Sequence, residues 1–211
     1  MPNWQVREGR SGDAQVIEEN WIGDNYRLGQ LSGTVIDIGA NIGAFALRAV
    51  DLGAKRVLCY EPDPENFGLL EYHCSQEIEE GIIEAHNVAV WDGEPVGYLS
   101  AGATTTTTND DPDLPLIPSV TLEEILRDAG PVEYLKIDCE GAEGHFIPAT
   151  PKEAFAQVQR CGVEYHRFPW IEEDHYDEMV ARLSEVFTLD ILESSLYGGM
   201  VFGLVFGYVF H

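Results

Sequence analysis

The sequence is poor in basic residues. Only 12 of its 211 residues are Lys or Arg, against 37 Asp and Glu, so the formal net charge is −25 at pH 7. A surface with this balance repels polyanions over a wide range of salt, and we therefore expect no nucleic-acid partner. Only three of the basic residues are lysines, which suits a salt-rich cytoplasm; an ordinary acidic protein is the alternative.

Cysteine and long apolar runs are also scarce. The four cysteines show no C-x-x-C spacing, and three lie in apolar runs where a small buried side chain fits, so we expect a reducing compartment. The first ten residues contain no apolar targeting segment, and the longest apolar stretch, residues 200–210, is much shorter than a membrane span. We therefore expect a soluble, cytoplasmic protein with no membrane partner.

The apolar content is high enough for a proper core. The sequence is 45% hydrophobic, and 211 residues lie at the upper end of what one domain usually holds. We therefore expect a single domain over residues 1–211. Within it, we expect residues 1–32 to form an N-terminal cover segment and residues 33–211 to form the core of the domain.

Patterns typical of strands and helices alternate along the chain. This alternation predicts an α/β fold with a parallel sheet covered by helices on both faces. At the C-terminal end two strand patterns follow each other with no room for a crossover helix, which predicts an antiparallel hairpin. The predicted strands are residues 34–38, 56–62, 85–92, 133–141, 160–166, 188–194 and 199–210, and the predicted helices are residues 43–54, 63–74, 121–131 and 171–187.

The stretch VIDIGANIGAF, residues 35–45, joins the first strand to the first of these helices. In a doubly wound sheet, ligands bind outside the carboxyl ends of the strands, close to a helix N-terminus. Gly39 and Gly43 let the backbone approach a ligand, and Asn41 tolerates a left-handed conformation. We interpret the loop as a ligand site that begins at Asp37; a tight turn without a ligand is the alternative.

Glu61 ends the second strand, 24 positions after Asp37, where an acidic residue can accept both ribose hydroxyls of an adenosine. A nicotinamide cofactor and S-adenosylmethionine both fit this arrangement. The dinucleotide motif G-x-G-x-x-G would fall on Gly39, Asn41 and Ala44, which keeps one glycine of three. A carboxylate at Asp37 would also repel a pyrophosphate, whereas S-adenosylmethionine carries an ammonium and a sulfonium there. The charges favour S-adenosylmethionine.

Four motifs together resemble the FkbM family of S-adenosylmethionine-dependent methyltransferases. They are VIDIGANIGAFAL, EPDPENF, NVAVWDG and VTLEEIL…EYLKIDCEGAE…VEYH, and the resemblance covers about residues 33–168. The segment at 6–26 is also similar to the part of that family that precedes the first strand. The resemblance implies a Rossmann-like methyltransferase fold, with a seven-stranded sheet, mostly parallel, and an antiparallel C-terminal strand. It also implies cofactor contacts within the motifs at Ala40, Pro62 and Ala89.

Methyl transfer to oxygen, often to a hydroxyl on a sugar or another small molecule, is the activity that this resemblance implies. The acceptor is the weakest part of the interpretation, because the resemblance fades after residue 168. A nicotinamide-dependent oxidoreductase would use the same first two strands. A non-catalytic protein that keeps only the fold is the third alternative.

Acidic and histidine side chains follow the fourth and fifth predicted strands. Asp138 ends the fourth strand and is the first candidate to orient both cofactor and acceptor, with Glu140 close behind it. Glu164 and His166 lie two positions apart on the fifth strand and therefore on one face, and His166 suits a general base. The alternatives are an ion pair between Lys136 and Glu164 and a structural role for His166.

A divalent metal on Asp138, Glu140 and His166 is chemically possible, because carboxylates suit hard cations. No ligand spacing in the sequence demands a metal, and we expect none.

Two further segments are candidates for the acceptor pocket. Residues 100–118 combine turn formers with a threonine run and no helical period, which favours a hairpin extension over a mobile flap. Residues 5–27 either cover the site from the N-terminal side or pack as an outer layer.

Overall fold

The computed structural model describes residues 2–9, 11–101, 104–108, 113, 115–167, 175–197 and 200–209. The strands in these residues are β1 Thr34–Ile38, β2 Arg56–Tyr60, β3 Ile83–His86, β4 Ala89–Val90, β5 Val96–Ala101, β6 Thr104–Thr108, β7 Leu116–Ile117, β8 Ser119–Val120, β9 Val132–Ile137, β10 Val158–Arg167, β11 Thr188–Tyr197 and β12 Met200–Tyr208. The α-helices in the same residues are α1 Ser11–Ile17, α2 Ala44–Asp51, α3 Pro64–His73, α4 Ser75–Glu79, α5 Leu122–Ala129, α6 Glu143–Ala149 and α7 Tyr176–Ser184. A π-helical turn, Glu18–Ile22, follows α1, and a 3₁₀ helix, Lys152–Gln157, precedes β10.

Seven strands form the main sheet in the order β11-β12-β10-β9-β1-β2-β3. The pairs from β10 to β3 are parallel, and β12 runs antiparallel to both of its neighbours. The predicted C-terminal hairpin is therefore confirmed, as is the mostly parallel sheet. Because β1 lies between β2 and β9, the loops that follow these three strands meet at one edge of the sheet, the edge formed by the carboxyl ends of the parallel strands.

Both faces of the sheet are covered. Alternate residues of β1 point to opposite sides, so that Val35 packs with α2 and α3 while Ile36 packs with α5, α6 and α7. Both side chains are completely buried. Two separate apolar clusters thus hold the strands in register and fix the position of the strand ends.

The helix-start signals in the sequence are confirmed. Asp63 accepts hydrogen bonds from the backbone N–H groups of Glu65 and Asn66, with a proline at the first helical position. Thr121 and Glu124 form the expected capping box. The last predicted helix begins at Tyr176 instead of residue 171, and residues 171–174 lie outside the described part of the chain.

The predicted third strand, residues 85–92, is wrong as a single element. The structure divides it into β3, which pairs with β2, and β4, which pairs with β8 in a small separate sheet. Asn87 lies at the break, and its side-chain amide donates to the carbonyl oxygens of Glu61 and Pro62. This contact holds the chain against the loop after β2, so the strand cannot continue along the main sheet.

The segment at 100–118 contains the predicted hairpin. β5 pairs with β6 in antiparallel register, and β7 adds to the other side of β5. Residues 102–103, 109–112 and 114 of this segment lie outside the described residues. Among the helices of the described chain, none has the length and apolar character needed to cross a membrane.

Candidate active site

The loop between β1 and α2 has the left-handed backbone that its sequence predicts. Gly39, Asn41 and Gly43 have φ angles of 77°, 49° and 87°. A Cβ at Gly39 would lie 1.8 Å from the carbonyl oxygen of Asp138. Glycine at this position therefore allows direct contact between the loop and the end of β9, and no larger residue fits without moving one of them.

A buried ion-pair network lies beneath this loop. Asp37 and Lys136 occupy paired positions on β1 and β9, and Lys136 Nζ lies 3.1 Å from Asp37 Oδ1 and 3.6 Å from Asp138 Oδ2. Lys136 also donates to the carbonyl oxygen of Gly39 at 2.6 Å. The lysine thus pairs with the two aspartates, and the alternative ion pair with Glu164 is wrong.

Burial has opposite effects on the two partners of this ion pair. It raises the pKa of Asp37, against the attraction of Lys136. Burial alone would lower the pKa of Lys136, but the two aspartates outweigh it and raise that pKa. Asp37 Oδ2 is buried and accepts no hydrogen bond from any described residue. The predicted contact of Asp37 with a cofactor stays a prediction, and the unmatched oxygen suits a cationic or hydrogen-bond-donating group.

Glu61 links the end of β2 to the glycine loop. Its Oε2 accepts the backbone N–H of Asn41 at 2.8 Å, and its Oε1 accepts that of Asp63 at 2.9 Å. Burial raises the pKa of Glu61 to about 7 in spite of these bonds. Oε1 also accepts from the side-chain amide of Asn66 at 3.4 Å, whereas Oε2 keeps a second lone pair, and a ribose hydroxyl that donates to Oε2 would stabilise the charged form. The carboxylate therefore fits the ribose role that its position predicts.

The other predicted cofactor residues lie around these two strand ends. Ala40 donates its backbone N–H to the carbonyl oxygen of Tyr60, which anchors the loop on β2. Pro62 directly follows Glu61 and is held by Asn87. Ala89 is buried in β4 with Val96 and Ile117, in the small sheet beyond the break. The cofactor contacts of Ala40, Pro62 and Ala89 stay predictions.

Asp138, Glu140 and His166 come together at the ends of β9 and β10. Each offers a ligand atom within 4.8 Å of those of the other two, so among the described residues they form the group that could hold a metal ion. Burial raises the pKa of Glu140 to about 7, and its φ of 53° is left-handed. The sequence analysis named these three residues as a possible metal group although no ligand spacing demanded a metal, and the metal alternative stays open.

His166 is buried between two glutamates. Glu143 Oε1 accepts the backbone N–H of His166 at 2.8 Å and lies 3.1 Å from its Nδ1, while Nε2 lies 3.4 Å from Glu140 Oε2. Burial alone would lower the pKa of His166, but the carboxylates of Glu143 and Glu140 outweigh it and raise that pKa to about 10. The imidazolium is the favoured form at neutral pH. A general-base role for His166 stays a prediction.

Tyr26 completes this edge of the site from the N-terminal segment. Its hydroxyl lies 3.0 Å from Asp138 Oδ2 and 3.1 Å from Glu164 Oε2. Burial, and then the charge of Asp138, raise the pKa of Glu164 to about 8. The sequence analysis included Tyr26 only within the segment at 5–27, because no local motif connects it to residues more than a hundred positions away.

The remaining part of the N-terminal segment is anchored near Glu61. Arg7 forms an ion pair with the fully buried Asp13 and donates to the side-chain oxygen of Asn66 at 2.8 Å. Asn66 Nδ2 lies 3.4 Å from Glu61 Oε1. The segment at 5–27 therefore contacts both edges of the site, and its role as a cover or as an outer layer stays a prediction.

Comparisons with known proteins agree with this geometry. The sequence matches the Methyltransferase FkbM domain over residues 37–187, which is more than half of the chain. Among proteins with curated descriptions, none matches this sequence. A similar solved structure is a methyltransferase FkbM from Methylobacillus flagellatus KT, at 18% identity and a TM-score of 0.53. The alignment covers 83% of this chain and 43% of that protein, so this chain spans less than half of its length.

Two further solved structures share the fold over nearly their whole length. A putative RNA methyltransferase from Pyrococcus horikoshii has 16% identity and a TM-score of 0.51, with 100% of this chain and 94% of that chain covered. A precorrin-6y C5,15-methyltransferase from Geobacter metallireducens GS-15 has 12% identity and a TM-score of 0.51, with 98% and 95% covered. The fold is thus the Rossmann-like methyltransferase fold, and with the match over residues 37–187 the chain belongs to the FkbM family of methyltransferases.

Proposed function

We propose that this methyltransferase uses S-adenosylmethionine and methylates a hydroxyl oxygen of a small molecule or saccharide. The main observation is the link between Glu61 and the glycine loop, because Glu61 Oε2 accepts the N–H of Asn41 at 2.8 Å. This bond sets the carboxylate beside a loop with three left-handed residues, at the edge of the sheet where ligands bind. Family membership supports methyl transfer as the reaction.

The residues around the loop suit this cofactor better than a dinucleotide. Glu61 would accept the ribose hydroxyls, and the loop from Gly39 to Gly43 would face the methionine part of the cofactor. Asp37 and Asp138 lie within 4 Å of the same lysine, and Lys136 offsets only part of their charge. A site with this excess of carboxylates attracts a sulfonium and repels a pyrophosphate.

When bound, S-adenosylmethionine supplies an electrophilic methyl group on a positively charged sulfur. The residues of the chain have two tasks: to align the acceptor oxygen with that methyl group and to take up the hydroxyl proton. Asp138 is the first candidate for alignment, because it adjoins the glycine loop at Gly39 and its charge also acts on Glu164 of β10. Glu140, Glu164 and His166 are the predicted candidates for taking up the proton, but each can do so only in its deprotonated form. Glu140 is therefore the first candidate, because burial raises the pKa of Glu164 to about 8 and the neighbouring carboxylates raise that of His166 to about 10.

The charge of the chain supports a small acceptor. With 37 acidic and 12 basic residues, the surface repels a polyanion, so we do not extend to this chain the RNA acceptor that the name of the Pyrococcus horikoshii protein suggests. A hydroxylated small molecule can instead donate hydrogen bonds to the carboxylates at the ends of β9 and β10. The predicted cytoplasmic location and single-domain organisation stay predictions.

Calorimetry with S-adenosylhomocysteine and with NAD tests the cofactor. We expect S-adenosylhomocysteine to bind in the micromolar range and to raise the melting temperature, because it binds the native state in preference to the unfolded chain. NAD should do neither. Binding of NAD without binding of S-adenosylhomocysteine would support the oxidoreductase alternative. Binding of neither would support a non-catalytic protein.

A screen with S-adenosylmethionine labelled in its methyl group tests the acceptor. The panel pairs saccharides and other hydroxylated compounds with analogues that lack the hydroxyl and with amine analogues. Label should move only to compounds that carry the hydroxyl. Transfer to the amine analogues alone would contradict O-methylation and leave the cofactor assignment intact.

A further inference from the structure

Arg7 lies between a buried acid of its own segment and the helix that follows β2. Its Nε and Nη2 donate to the two carboxylate oxygens of Asp13 at 3.0 and 2.6 Å, and Nη2 also donates to Oδ1 of Asn66 at 2.8 Å. Asp13 is completely buried, Asn66 is 1% exposed and the Arg7 side chain is 18% exposed. The guanidinium therefore joins the N-terminal segment to α3 in a place where salt screens its charge little.

The charge of Arg7 fixes the orientation of the side-chain amide of Asn66. An amide has an oxygen that accepts and a nitrogen that donates, whereas a guanidinium only donates. The end of the amide that faces Arg7 must therefore be the oxygen. The nitrogen then faces Glu61, and Nδ2 lies 3.4 Å from Oε1 of that carboxylate. The reverse orientation would set donor against donor at Arg7 and acceptor against acceptor at Glu61.

The amide of Asn66 adds to two backbone bonds that already hold Glu61. Oε1 accepts the N–H of Asp63 at 2.9 Å, and Oε2 accepts the N–H of Asn41 at 2.8 Å. With the amide, Oε1 has two donors, and the lone pair that remains for a ligand is on Oε2, the oxygen beside the glycine loop. The amide thus opposes any rotation of the carboxylate that would turn this lone pair away from the site.

We propose that Arg7 is a positioning residue for the cofactor, which acts through Asn66 to hold the carboxylate of Glu61 in the orientation that receives the ribose. Only the benefit to the ribose rests on the proposed function. The connection from Arg7 to Glu61 follows from the geometry of the three side chains.

The backbone beside this guanidinium is attached to α3 at a second point. The N–H of Gln5 donates to His73 Nε2 at 2.9 Å, and His73 Nδ1 lies 2.8 Å from the carbonyl oxygen of Ile42 in the glycine loop. A backbone N–H only donates and a carbonyl only accepts, so Nδ1 carries the ring proton. Asn66 and His73 lie seven positions apart on α3, which is two turns, and therefore on one face. The N-terminal segment thus grips one face of α3 along its length.

Calorimetry on Arg7→Lys tests the proposal. An ammonium keeps the charge that pairs with Asp13 but loses the planar fork that reaches two acceptors at once. The variant should bind S-adenosylhomocysteine about fivefold more weakly than the parent, the effect of one net hydrogen bond. Its affinity for the 2′,3′-dideoxy analogue of the same ligand should equal that of the parent, because that analogue has no ribose hydroxyl for Glu61 to accept. Equal losses for the two ligands, or no loss for either, would overturn the proposal.

Arg56→Lys is the matched control. Arg56 also forms a fork of two bonds with a carboxylate, that of Glu84, at 2.7 and 3.2 Å. It lies at the first residue of β2, at the opposite end of that strand from Glu61. The control should bind both ligands as the parent does. A loss of affinity for S-adenosylhomocysteine equal to that in Arg7→Lys would contradict a specific role for Arg7.

A cycle with Asn66→Leu separates a chain of contacts from two independent effects. Leucine keeps nearly the size of the side chain and removes the amide. Once this change is present, Arg7→Lys should weaken binding of S-adenosylhomocysteine by less than about twofold further, because the connection to Glu61 is already broken. If the two losses instead multiply in the double variant, Arg7 does not act through Asn66 and the proposal fails.

Nitrogen-15 NMR of the ligand-free full chain decides the connection without the cofactor. Asn66→Leu identifies the side-chain amide resonances of Asn66. Their exchange with water should be about fivefold faster in Arg7→Lys than in the parent, because the amide loses its bond to Arg7, and unchanged in Arg56→Lys. Unchanged exchange in Arg7→Lys would overturn the proposal. A parent that does not bind S-adenosylhomocysteine would contradict the proposed function instead, and the exchange rates would then decide whether Arg7 holds the amide.

Discussion

The two edges of the site are built in different ways. At the edge that we propose for the cofactor, formed by the ends of β1 and β2 and called the cofactor edge, Glu61 bonds to the backbone of a loop only 20 positions away. At the edge that we propose for the acceptor, formed by the ends of β9 and β10 and called the acceptor edge, Tyr26 bonds to side chains 112 and 138 positions away. One edge is thus set by local sequence, and the other depends on the whole chain being folded.

The chemistry of the two edges differs in the same way. Backbone N–H groups satisfy the carboxylate at the cofactor edge, and they keep their protons at every pH. At the acceptor edge, several carboxyl groups and an imidazole face one another, and their charges shift with pH. The first edge is suited to holding a constant ligand and the second to handling a proton.

Replacement of Gly39 should have the largest effect, because this residue is where the two edges touch. Gly39→Ala should destabilise the fold by roughly 4 kcal/mol, about 1–2 kcal/mol from the left-handed backbone and the remainder from the clash with Asp138. Urea unfolding measures the loss. Gly29→Ala is the control, since Gly29 is also left-handed, with φ of 63°, but a Cβ there meets nothing within 4 Å. Equal losses would show that the edges are not in tight contact.

Removal of charge from Asp138 should have the next largest effect. Asp138→Asn keeps the size of the side chain but weakens its bond from Tyr26 and its attraction to Lys136. Turnover on an acceptor found by the labelled screen should fall roughly 10²-fold. The fall should be the same at every pH, because the variant loses alignment and electrostatic stabilisation but does not lose a group whose titration controls the rate. The control Asp128→Asn, at an exposed ion pair, should keep parental turnover. A defect confined to one side of a pH midpoint would instead make Asp138 the base.

The sequence predicted the backbone and burial of the cofactor edge because their determinants are local. The glycines, Asn41 and Glu61 lie next to strand ends that the apolar pattern identifies, and their backbone and burial follow from that position. The acceptor edge was found only in part. Asp138 and His166 follow from strand ends as well, but Tyr26 has no local pattern and reaches the site only when the N-terminal segment packs on β10.

The error in the predicted third strand has the same origin. The apolar residues at 88–90 continue the strand pattern of β3. The periodicity of apolar residues alone cannot show that the side chain of Asn87 holds the chain against the loop after β2. The partners of Lys136 were likewise hidden, because β1 and β10 both flank β9. Only the register shows that Lys136 lies opposite Asp37 on β1, whereas its opposite residue on β10 is Gly162, two positions before Glu164.

A change at Glu61 should affect the cofactor edge alone. Glu61→Gln should weaken binding of S-adenosylhomocysteine by about 1.5–3 kcal/mol, the usual range for hydrogen bonds to a charged group. Calorimetry measures the affinity. Urea unfolding measures how far the free energy of unfolding falls when the N–H of Asn41 or Asp63 loses its acceptor. Glu65→Gln, at an exposed neighbouring carboxylate, should bind as the parent does. Parental affinity in Glu61→Gln would exclude Glu61 from the ribose site.

The smallest predicted effect is on the pH dependence of stability, which should differ between variants at the two edges. A buried acid whose pKa is raised binds its proton more tightly in the folded state, so its contribution to stability falls as pH rises from the unfolded pKa to the folded one. For Glu61 this window runs from about 4.5 to about 7, and for Glu164 from about 4.5 to about 8. His166, whose pKa is also raised, gives stability that is complete below about 6.5 and is lost as pH rises through about 10.

The parent should therefore lose stability steadily from pH 5 to pH 10, and each variant should flatten a different part of the curve. Glu61→Gln should remove slope only below about pH 7, because Glu61 is already ionised above it. Glu164→Gln should remove slope up to about pH 8, by roughly 1 kcal/mol between pH 6 and pH 8 after allowance for its coupling to Asp138. Urea unfolding at intervals of one pH unit measures both. If Glu61→Gln flattened the curve above pH 8, or if Glu164→Gln left it unchanged, the proton-handling groups would not be concentrated at the acceptor edge, and the contrast between the two edges would fail.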